Sequence, residues 1–302
     1  MERQTCPEPG NQALVTTVLF HSDHGGDEQR QWQSANPHIT LILIDPEEGK
    51  PRNEMFAKTL FRKHLFDFTH NPGVPQDTEA SAQFEQLAEG ARRIYTTDDY
   101  ESRGEFGEFI LHAFLLDYYK TAPIICKIAF KTGNNDTVKG FDAVHIQPVG
   151  TEVELWLGES KFYTDSNKAI YDAVQSIEKH LESSYMRDEF TIILSQVSPN
   201  HNFHRRIKSA MSQVRSLDEI RKNIIVPILI TYTSNALAQI DYAPQQRMSE
   251  LTEEANKIAA KFDRKIKPST REYRTHLILF PVQDKAQLAK TLNNTLATWR
   301  DI

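Results

Sequence analysis

The feature that most constrains this chain is a pair of short apolar segments joined by a glycine turn. Residues 140–148 and 153–161 are rich in β-branched, aromatic and other apolar residues, a composition that favours strands. Between them, Gly150 and Thr151 fit the two-residue loop of a tight hairpin. The sequence therefore predicts two antiparallel strands whose register is set by this turn.

Side-chain alternation gives the predicted hairpin one apolar face with charges at a single end. The register of the turn places Asp142 opposite Glu159, and Lys161 lies on the same face, while the other positions of that face are apolar. The reverse face carries His145 and Trp156 among polar residues, so we expect it to be partly solvent-exposed.

Two carboxylates and an amine at the rim of an apolar face need a compensating partner, because burying unpaired charge is costly. Mg²⁺ takes carboxylate and carbonyl oxygens as ligands and keeps water for chemistry. We therefore expect Asp142, Glu159 and Lys161 to form a site for Mg²⁺ or Mn²⁺. A structural cluster of ion pairs is the alternative for the same residues.

Two other segments imitate functional motifs. Residues 45–50 spell Asp-Pro-Glu-Glu-Gly-Lys on one short turn, where no strand separates and aims the groups. Residues 21–27 space two histidines at an interval that could bind a metal, but glycine-rich loops with scattered histidines are common. We assign a catalytic role to neither segment.

The charge balance limits how this chain can bind nucleic acid. It has 41 acidic and 35 basic residues, whereas DNA binding depends on Lys and Arg that displace counterions from phosphates. If DNA is the substrate, a local basic strip or a partner must deliver it. The candidates for phosphate contact are basic residues of two predicted helices: His204, Arg205, Arg206 and Lys208, and Lys257, Lys261, Arg264, Lys265 and Lys267.

The two cysteines, Cys6 and Cys126, provide neither a disulfide framework nor a thiolate metal site. No run approaches the roughly 18 apolar residues of a membrane span, and the N-terminus lacks an apolar signal core. These observations predict a cytoplasmic protein that does not bind a membrane.

Hydrophobic periodicity divides the chain near residue 95. Residues 1–95 are predicted to form an α/β lobe of unknown role, with strands at 13–20 and 38–44 and helices at 54–68 and 79–94. A second unit, 96–302, begins with a helix at 104–120 that Asp98, Asp99 or Ser102 would cap. The elements predicted after it are strands at 123–131, 140–148, 153–161, 189–197, 224–233 and 275–282, and helices at 166–181, 204–221, 246–266 and 284–299.

The order α-β-β-β-α-β over about residues 100–198 resembles the PD-(D/E)xK nuclease core. An acid lies in the first helix, an Asp opens the second strand, and Glu-x-Lys closes the third. More narrowly, residues 107–112, 139–145 and 155–163 resemble the motifs of HamA, the nuclease subunit of the bacterial Hachiman anti-phage system. The resemblance implies an α/β fold with a mixed sheet flanked by helices, an N-terminal α/β lobe and C-terminal extensions.

The resemblance also implies roles for individual residues. Asp142 and Glu159 would bind Mg²⁺, with the backbone carbonyl of Ser160 as a further ligand. Lys161 would orient or deprotonate the attacking water and help to neutralise the phosphate. Glu108, in the first helix, would complete the metal shell directly or through water.

Two positions depart from the family pattern. Phe141 stands where the superfamily usually has a proline before the first catalytic aspartate. The helix after the third strand offers Tyr171 and Gln175 in the opposite order to some relatives, and we treat Gln175 as an accessory residue.

The function implied by this resemblance is that of a metal-dependent DNA nuclease. It would be the effector subunit of an anti-phage complex with the helicase HamB, of the superfamily 2 type. Two alternatives stay open on the sequence: a non-catalytic regulatory subunit of a helicase, and a nuclease that acts on RNA.

Overall fold

The structure is a computed structural model, and the residues that it describes are 3–4, 15–20, 37–73, 79–94, 103–130, 140–212, 214, 216–238 and 244–301. Eight strands form one mixed sheet in the order β1-β2-β3-β10-β9-β8-β7-β6. Their bounds are β1 Arg3–Gln4, β2 Val15–Phe20, β3 His38–Ile44, β6 Ala122–Ile125, β7 Ala143–Val149, β8 Glu152–Phe162, β9 Ile224–Thr233 and β10 Arg274–Val282; two short strands, β4 Pro46–Glu47 and β5 Lys50–Pro51, form a separate ribbon.

The four central strands β3, β10, β9 and β8 are parallel to one another, while the strands towards both edges pair antiparallel. The helices that accompany the sheet are α1 Asn53–Thr69, α2 Ala80–Ile94, α3 Glu105–Asp117, α4 Ser166–His180, α5 Ser183–Gln196, α6 His204–Ala210, α7 Leu217–Arg221, α8 Asn235–Ala238, α9 Pro244–Lys265 and α10 Lys285–Arg300. The structure thus confirms an α/β fold with a mixed sheet flanked by helices.

The hairpin register is confirmed. Val149 pairs with Glu152, and the ladder continues without a shift to Ala143 opposite Gly158. Gly150 has a φ of +57°, in the left-handed region that favours glycine at such a turn. The apolar face of the hairpin is buried in one core cluster together with α4, α5 and α9. This register places Asp142, directly before the first residue of β7, beside Glu159.

The reverse face of the hairpin is not partly exposed as predicted. His145 and Trp156 are 1% and 3% exposed, because α3 packs on this face and joins it to a second core cluster with α1 and α10. A strand in the middle of a two-sided sheet is buried on both faces, which the alternation of polar residues did not reveal.

The predicted strand at 189–197 is wrong, since these residues belong to helix α5. Its buried side chains Met186, Glu189, Phe190 and Ile193 recur at helical spacing. The run Thr191-Ile192-Ile193 favours a strand by propensity, but packing against the core overrides that preference. The strand that pairs with β8 on the side away from β7 is β9, not residues 189–197. Helices α5, α6 and α7 are therefore inserted before the last strand of the predicted core.

Two further boundaries differ from prediction. The strand predicted at 123–131 ends at Ile125, and a 3-10 turn follows at Lys127–Phe130. The helix predicted at 204–221 is two short helices, α6 and α7, and Ser216 starts the second with a capping box to Glu219. The strands predicted at 38–44 and 224–233 have the bounds expected of them.

The N-terminal strands belong to the same sheet as the rest of the chain, since β3 pairs in parallel with β10. The division into units at residue 95 stays a prediction. Residues 21–27 and the cap candidates Asp98, Asp99 and Ser102 lie outside the described residues. None of the helices in the described part is both long and apolar enough to cross a membrane.

Candidate active site

Strand β8 carries Glu159 and Lys161 on the face that α4 covers. Both residues lie beyond the hairpin ladder, where β8 pairs with β9 instead. The side chain of Glu159 is 3% exposed and that of Lys161 is 16% exposed, and the Lys161 Nζ donates to Glu159 Oε1 at 2.5 Å. A buried acid and a half-buried amine are therefore held together at the end of an apolar strand face.

Helix α4 closes over the other side of the Glu159 carboxylate. His180 Nδ1 lies 3.4 Å from Glu159 Oε2, which is within ion-pair range, but the two atoms do not have hydrogen-bond geometry. Ser176, one turn earlier, also interacts with the carboxylate. The His180 ring is itself fixed between Tyr185, stacked at 4.8 Å, and Phe141 at 5.1 Å. Glu159 Oε2 is a buried carboxylate oxygen within ion-pair range of His180 but without a well-formed hydrogen bond.

Asp142 lies at the start of β7, where its N–H donates to the Gly158 carbonyl at 2.8 Å. Its Oδ2 accepts from the Ser160 N–H at 2.8 Å and from the Ser160 Oγ at 3.0 Å. On the other side, Lys127 Nζ is 4.0 Å from Asp142 Oδ1. Ser160 therefore orients the Asp142 carboxylate. Lys127, in the 3-10 turn, approaches the same carboxylate from the other side.

The pKa values of the two carboxylates are shifted in opposite directions. Burial, and then the charge of Glu159, raises the pKa of Asp142 against the opposing effect of Lys127 and Lys161. Burial also opposes ionisation of Glu159, but His180 and Lys161 outweigh it and hold the pKa of Glu159 below its usual value. Burial works against the charge of Lys161 too, yet Glu159 and Asp142 raise its pKa. Neighbouring acids with pKa values pushed apart are typical of functional sites.

Glu108 lies in the first turn of α3, which packs on the opposite face of the sheet. Helix α3 packs on β8 at Gly107, where an added Cβ would lie 3.1 Å from the Phe162 Cβ and 3.2 Å from the Ser160 Oγ. This close approach brings the first turn of α3, which carries the half-buried Glu108, alongside Ser160. Helix α3 and Glu108 therefore lie on the side of β8 away from His180.

Gln175 is exposed on the outer surface of α4, next to Ser176. The sequence did not point to His180 and Lys127, which lie beside Glu159 and Asp142, or to Glu189, which accepts from the Phe141 N–H. The spacing of Ser176 and His180 on one side of α4 could have indicated the histidine. No pattern pointed to Lys127 or Glu189, because each depends on how a distant segment packs.

A divalent cation fits the residues that are present. Glu159 Oε2 is buried and lacks a well-formed hydrogen bond. Burial and the charge of Glu159 both oppose the ionisation of Asp142, and a bound cation would favour it. No three His, Cys, Asp or Glu side chains within the described ranges cluster to hold a metal. Mg²⁺ binds through one or two carboxylates and retains several waters, so Asp142, Glu159 and the Ser160 carbonyl would suffice as protein ligands.

The basic segment of α6 lies away from this centre. A polar hollow of about 590 Å³ is lined by the start of α6, including Arg205 and Arg206, and by the hairpin turn near Val153. Lys161 lies eight positions beyond Val153 on β8, roughly 25 Å along an extended strand.

On α9, two of the candidate cations already have partners within the chain. Lys257 pairs with Glu253 at 2.6 Å, and Lys261 donates to the Asn167 Oδ1 at 2.6 Å. Their contact with phosphate stays a prediction, as does that of the α6 residues.

Comparison with known proteins adds the family. No curated protein matches this chain. The sequence model of HamA matches residues 23–296, a range that contains nearly all of the sheet and every candidate site residue. The chain therefore belongs to the HamA family of Hachiman anti-phage defence proteins.

Proposed function

We propose that this protein is a Mg²⁺- or Mn²⁺-dependent nuclease that cleaves DNA as the effector subunit of a Hachiman complex with a superfamily 2-type helicase, HamB. The observation that carries the proposal is the convergence of Asp142, Glu159 and Lys161 at one end of a hairpin, with a buried oxygen of Glu159 lacking a well-formed hydrogen bond. Membership of the HamA family agrees with this assignment.

The chemistry required is hydrolysis of a phosphodiester. A bound divalent cation supplies an acidified water and neutralises charge on the phosphate. Asp142 and Glu159 would hold that cation, with Glu108 completing the shell directly or through water. Lys161 would orient the attacking water and place a fixed positive charge beside the phosphate. Ser160 contributes by holding the Asp142 carboxylate through two hydrogen bonds.

The burial of the site supports control by a partner. Glu159 is almost fully covered by α4, and the side chains of Lys161 and Asp142 are 16% and 18% exposed. A phosphodiester must reach these groups, so binding of substrate requires an opening of the surface around α4. We propose that the helicase provides both the DNA strand and this opening, which suits a chain with an excess of acidic residues.

The experiment combines purified protein with plasmid DNA, single-stranded DNA and RNA, in Mg²⁺ or Mn²⁺, with and without the helicase. We expect cleavage of DNA that disappears in Glu159→Ala and in Lys161→Ala, while both variants remain folded by circular dichroism. Glu54→Ala and Lys58→Ala are matched controls, because these residues form an exposed glutamate–lysine pair on α1. Full metal-dependent cleavage by either site variant would refute the assignment.

A non-catalytic helicase regulator is the second candidate. It is favoured by the direct Glu159–Lys161 pair and by the absence, among the described residues, of a three-residue metal cluster. The same experiment separates the two functions, since a regulator changes the ATPase rate of the helicase but yields no cleavage with any substrate or metal. Cleavage restricted to the RNA arm would instead identify a ribonuclease.

A further inference from the structure

Two side chains hold the peptide group between Gly140 and Phe141, which lies directly before Asp142. One binds its N–H and the other binds its carbonyl. The Phe141 N–H donates to Glu189 Oε1 at 3.3 Å, and Lys127 Nζ donates to the Gly140 carbonyl at 2.7 Å. The two side chains come from α5 and from the 3-10 turn after β6, so they approach from separate parts of the chain.

Gly140 makes this arrangement possible. Its φ is +118°, and a Cβ at this position would lie 1.9 Å from the Glu189 Oε1. Any side chain would therefore strain the backbone and collide with the carboxylate. Glycine here leaves the space that Glu189 occupies against the backbone.

Burying the Glu189 carboxylate costs free energy unless the carboxylate forms compensating interactions. Glu189 is 5% exposed, and desolvation raises its pKa although the charge of Lys127 opposes the shift. On a helix whose other buried residues are apolar, an apolar residue at this position would be cheaper to bury. The carboxylate instead accepts from the N–H of Phe141, the residue directly before Asp142. Lys127 also lies close to Asp142, with its Nζ 4.0 Å from the Asp142 Oδ1.

We propose that Glu189 and Lys127 are positioning residues, which clamp the Gly140–Phe141 peptide and thereby fix the position of the Asp142 carboxylate that Ser160 holds. The functional part of this inference rests on the proposed nuclease function, because it assumes that Asp142 binds the catalytic cation. The clamp itself is a property of the fold and is measurable without activity.

Hydrogen exchange tests the clamp in the full chain. In Glu189→Ala and Lys127→Met, exchange of a peptide that covers residues 140–144 should be roughly 10-fold faster, because a bond that holds the segment is lost. Glu189→Gln keeps an acceptor oxygen and should restore slow exchange. Glu254→Ala is the matched control, since Glu254 also accepts a backbone N–H, from Ala236 at 3.1 Å, on α8.

Dependence of cleavage on Mn²⁺ tests the role in the reaction. Loss of groups that orient a metal ligand typically costs roughly 10-fold to 100-fold in metal affinity. We expect the Mn²⁺ concentration for half-maximal cleavage to rise by that factor in Glu189→Ala and Lys127→Met, with a smaller change in the rate at saturating Mn²⁺. Glu189→Gln should recover most of the affinity, and Glu254→Ala should match the unmodified protein.

The outcomes separate the two proposals. Unchanged exchange at residues 140–144 in both Glu189→Ala and Lys127→Met overturns the clamp. Faster exchange with unchanged Mn²⁺ dependence overturns its role in positioning Asp142. If the unmodified protein cleaves nothing, the proposed function has failed, whereas the exchange measurement still decides whether Glu189 and Lys127 hold the segment.

Discussion

Strands β7 and β8 carry a buried polar cluster on each face, and the two clusters are built differently. The acidic cluster, Asp142, Glu159 and Lys161, contains charges and a carboxylate oxygen that lacks a well-formed hydrogen bond. The histidine cluster on the other face is a chain of neutral hydrogen bonds, from His112 Nδ1 to His145 Nε2 at 3.0 Å and from His145 Nδ1 to the Thr121 Oγ1 at 2.8 Å. His112 Nε2 is also buried without a hydrogen-bond partner in the part of the chain that the structure describes, so the clusters differ in charge rather than in complete satisfaction of their hydrogen bonds.

The difference shows that burial of polar groups does not by itself identify a functional site. The histidine cluster lies beneath α3, and burial lowers the pKa of His145 to about 3 and holds that of His112 well below its usual value. These rings are neutral at pH 7, so their interactions stabilise the fold. The acidic cluster retains charges that its neighbours only partly compensate, which is the arrangement expected of a site that binds a cation.

The largest expected difference between the two clusters is in the effect of substitutions on the cleavage rate. Asp142→Asn removes a charge that the cation requires, and we expect cleavage to fall by roughly 100-fold to 1,000-fold or more. His145→Gln, on the same strand but the opposite face, should retain cleavage per folded molecule. Rates measured with a fluorescent oligonucleotide at saturating Mn²⁺ decide the point. A comparable loss in His145→Gln would place the histidine cluster in the reaction.

Stability should show the reverse pattern. His145→Ala removes two buried hydrogen bonds and leaves a cavity beneath α3, so the free energy of unfolding should fall by about 2–4 kcal/mol. Urea unfolding followed by tryptophan fluorescence measures the change. A loss below about 0.5 kcal/mol, the range of ordinary surface substitutions, would mean that this cluster contributes little to the fold.

The histidine cluster should contribute to the pH dependence of stability between pH 7.5 and 5.5, together with His276 and His70, whose pKa values burial also lowers. A histidine with a lowered folded pKa binds fewer protons in the folded state, so stability is complete above the unfolded pKa of about 6.5 and is lost as the pH falls below it. Each buried histidine contributes a slope of up to about 1.4 kcal/mol per pH unit. Urea unfolding at several pH values should give a shallower slope for His145→Gln than for the unmodified protein.

The smallest effect concerns the cost of keeping Asp142 charged. Because its folded pKa is raised, the folded state binds the proton more tightly, and this contribution to stability is lost as the pH rises from about 3.9 through the folded pKa. Without added metal, the free energy of unfolding of Asp142→Asn at pH 7 should therefore exceed that of the unmodified protein by about 1 kcal/mol. This difference should shrink at pH 4. A destabilised variant at pH 7 would contradict the raised pKa.

The hairpin and its charged end could be predicted because the information is local. Alternation along 140–161 and a glycine turn fix the register, and the register alone brings Asp142 beside Glu159. Helices α4, α9 and α10 were also predicted near their observed bounds, since their apolar spacing has the helical period. The propensity of Thr191-Ile192-Ile193 misled the prediction for α5, because burial outweighs propensity in a short amphipathic helix.

By itself, the sequence determined which residues are acidic, basic or apolar along two neighbouring strands, and hence that charges meet at one end of a buried face. Only the tertiary structure decided that both faces of the hairpin are buried, that His180 closes over Glu159, and that Lys127 and Glu189 hold the peptide before Asp142. The reason is physical: strand register depends on neighbours in the chain, whereas the packing of α5 and the 3-10 turn against that strand depends on the volume and charge of side chains remote in sequence.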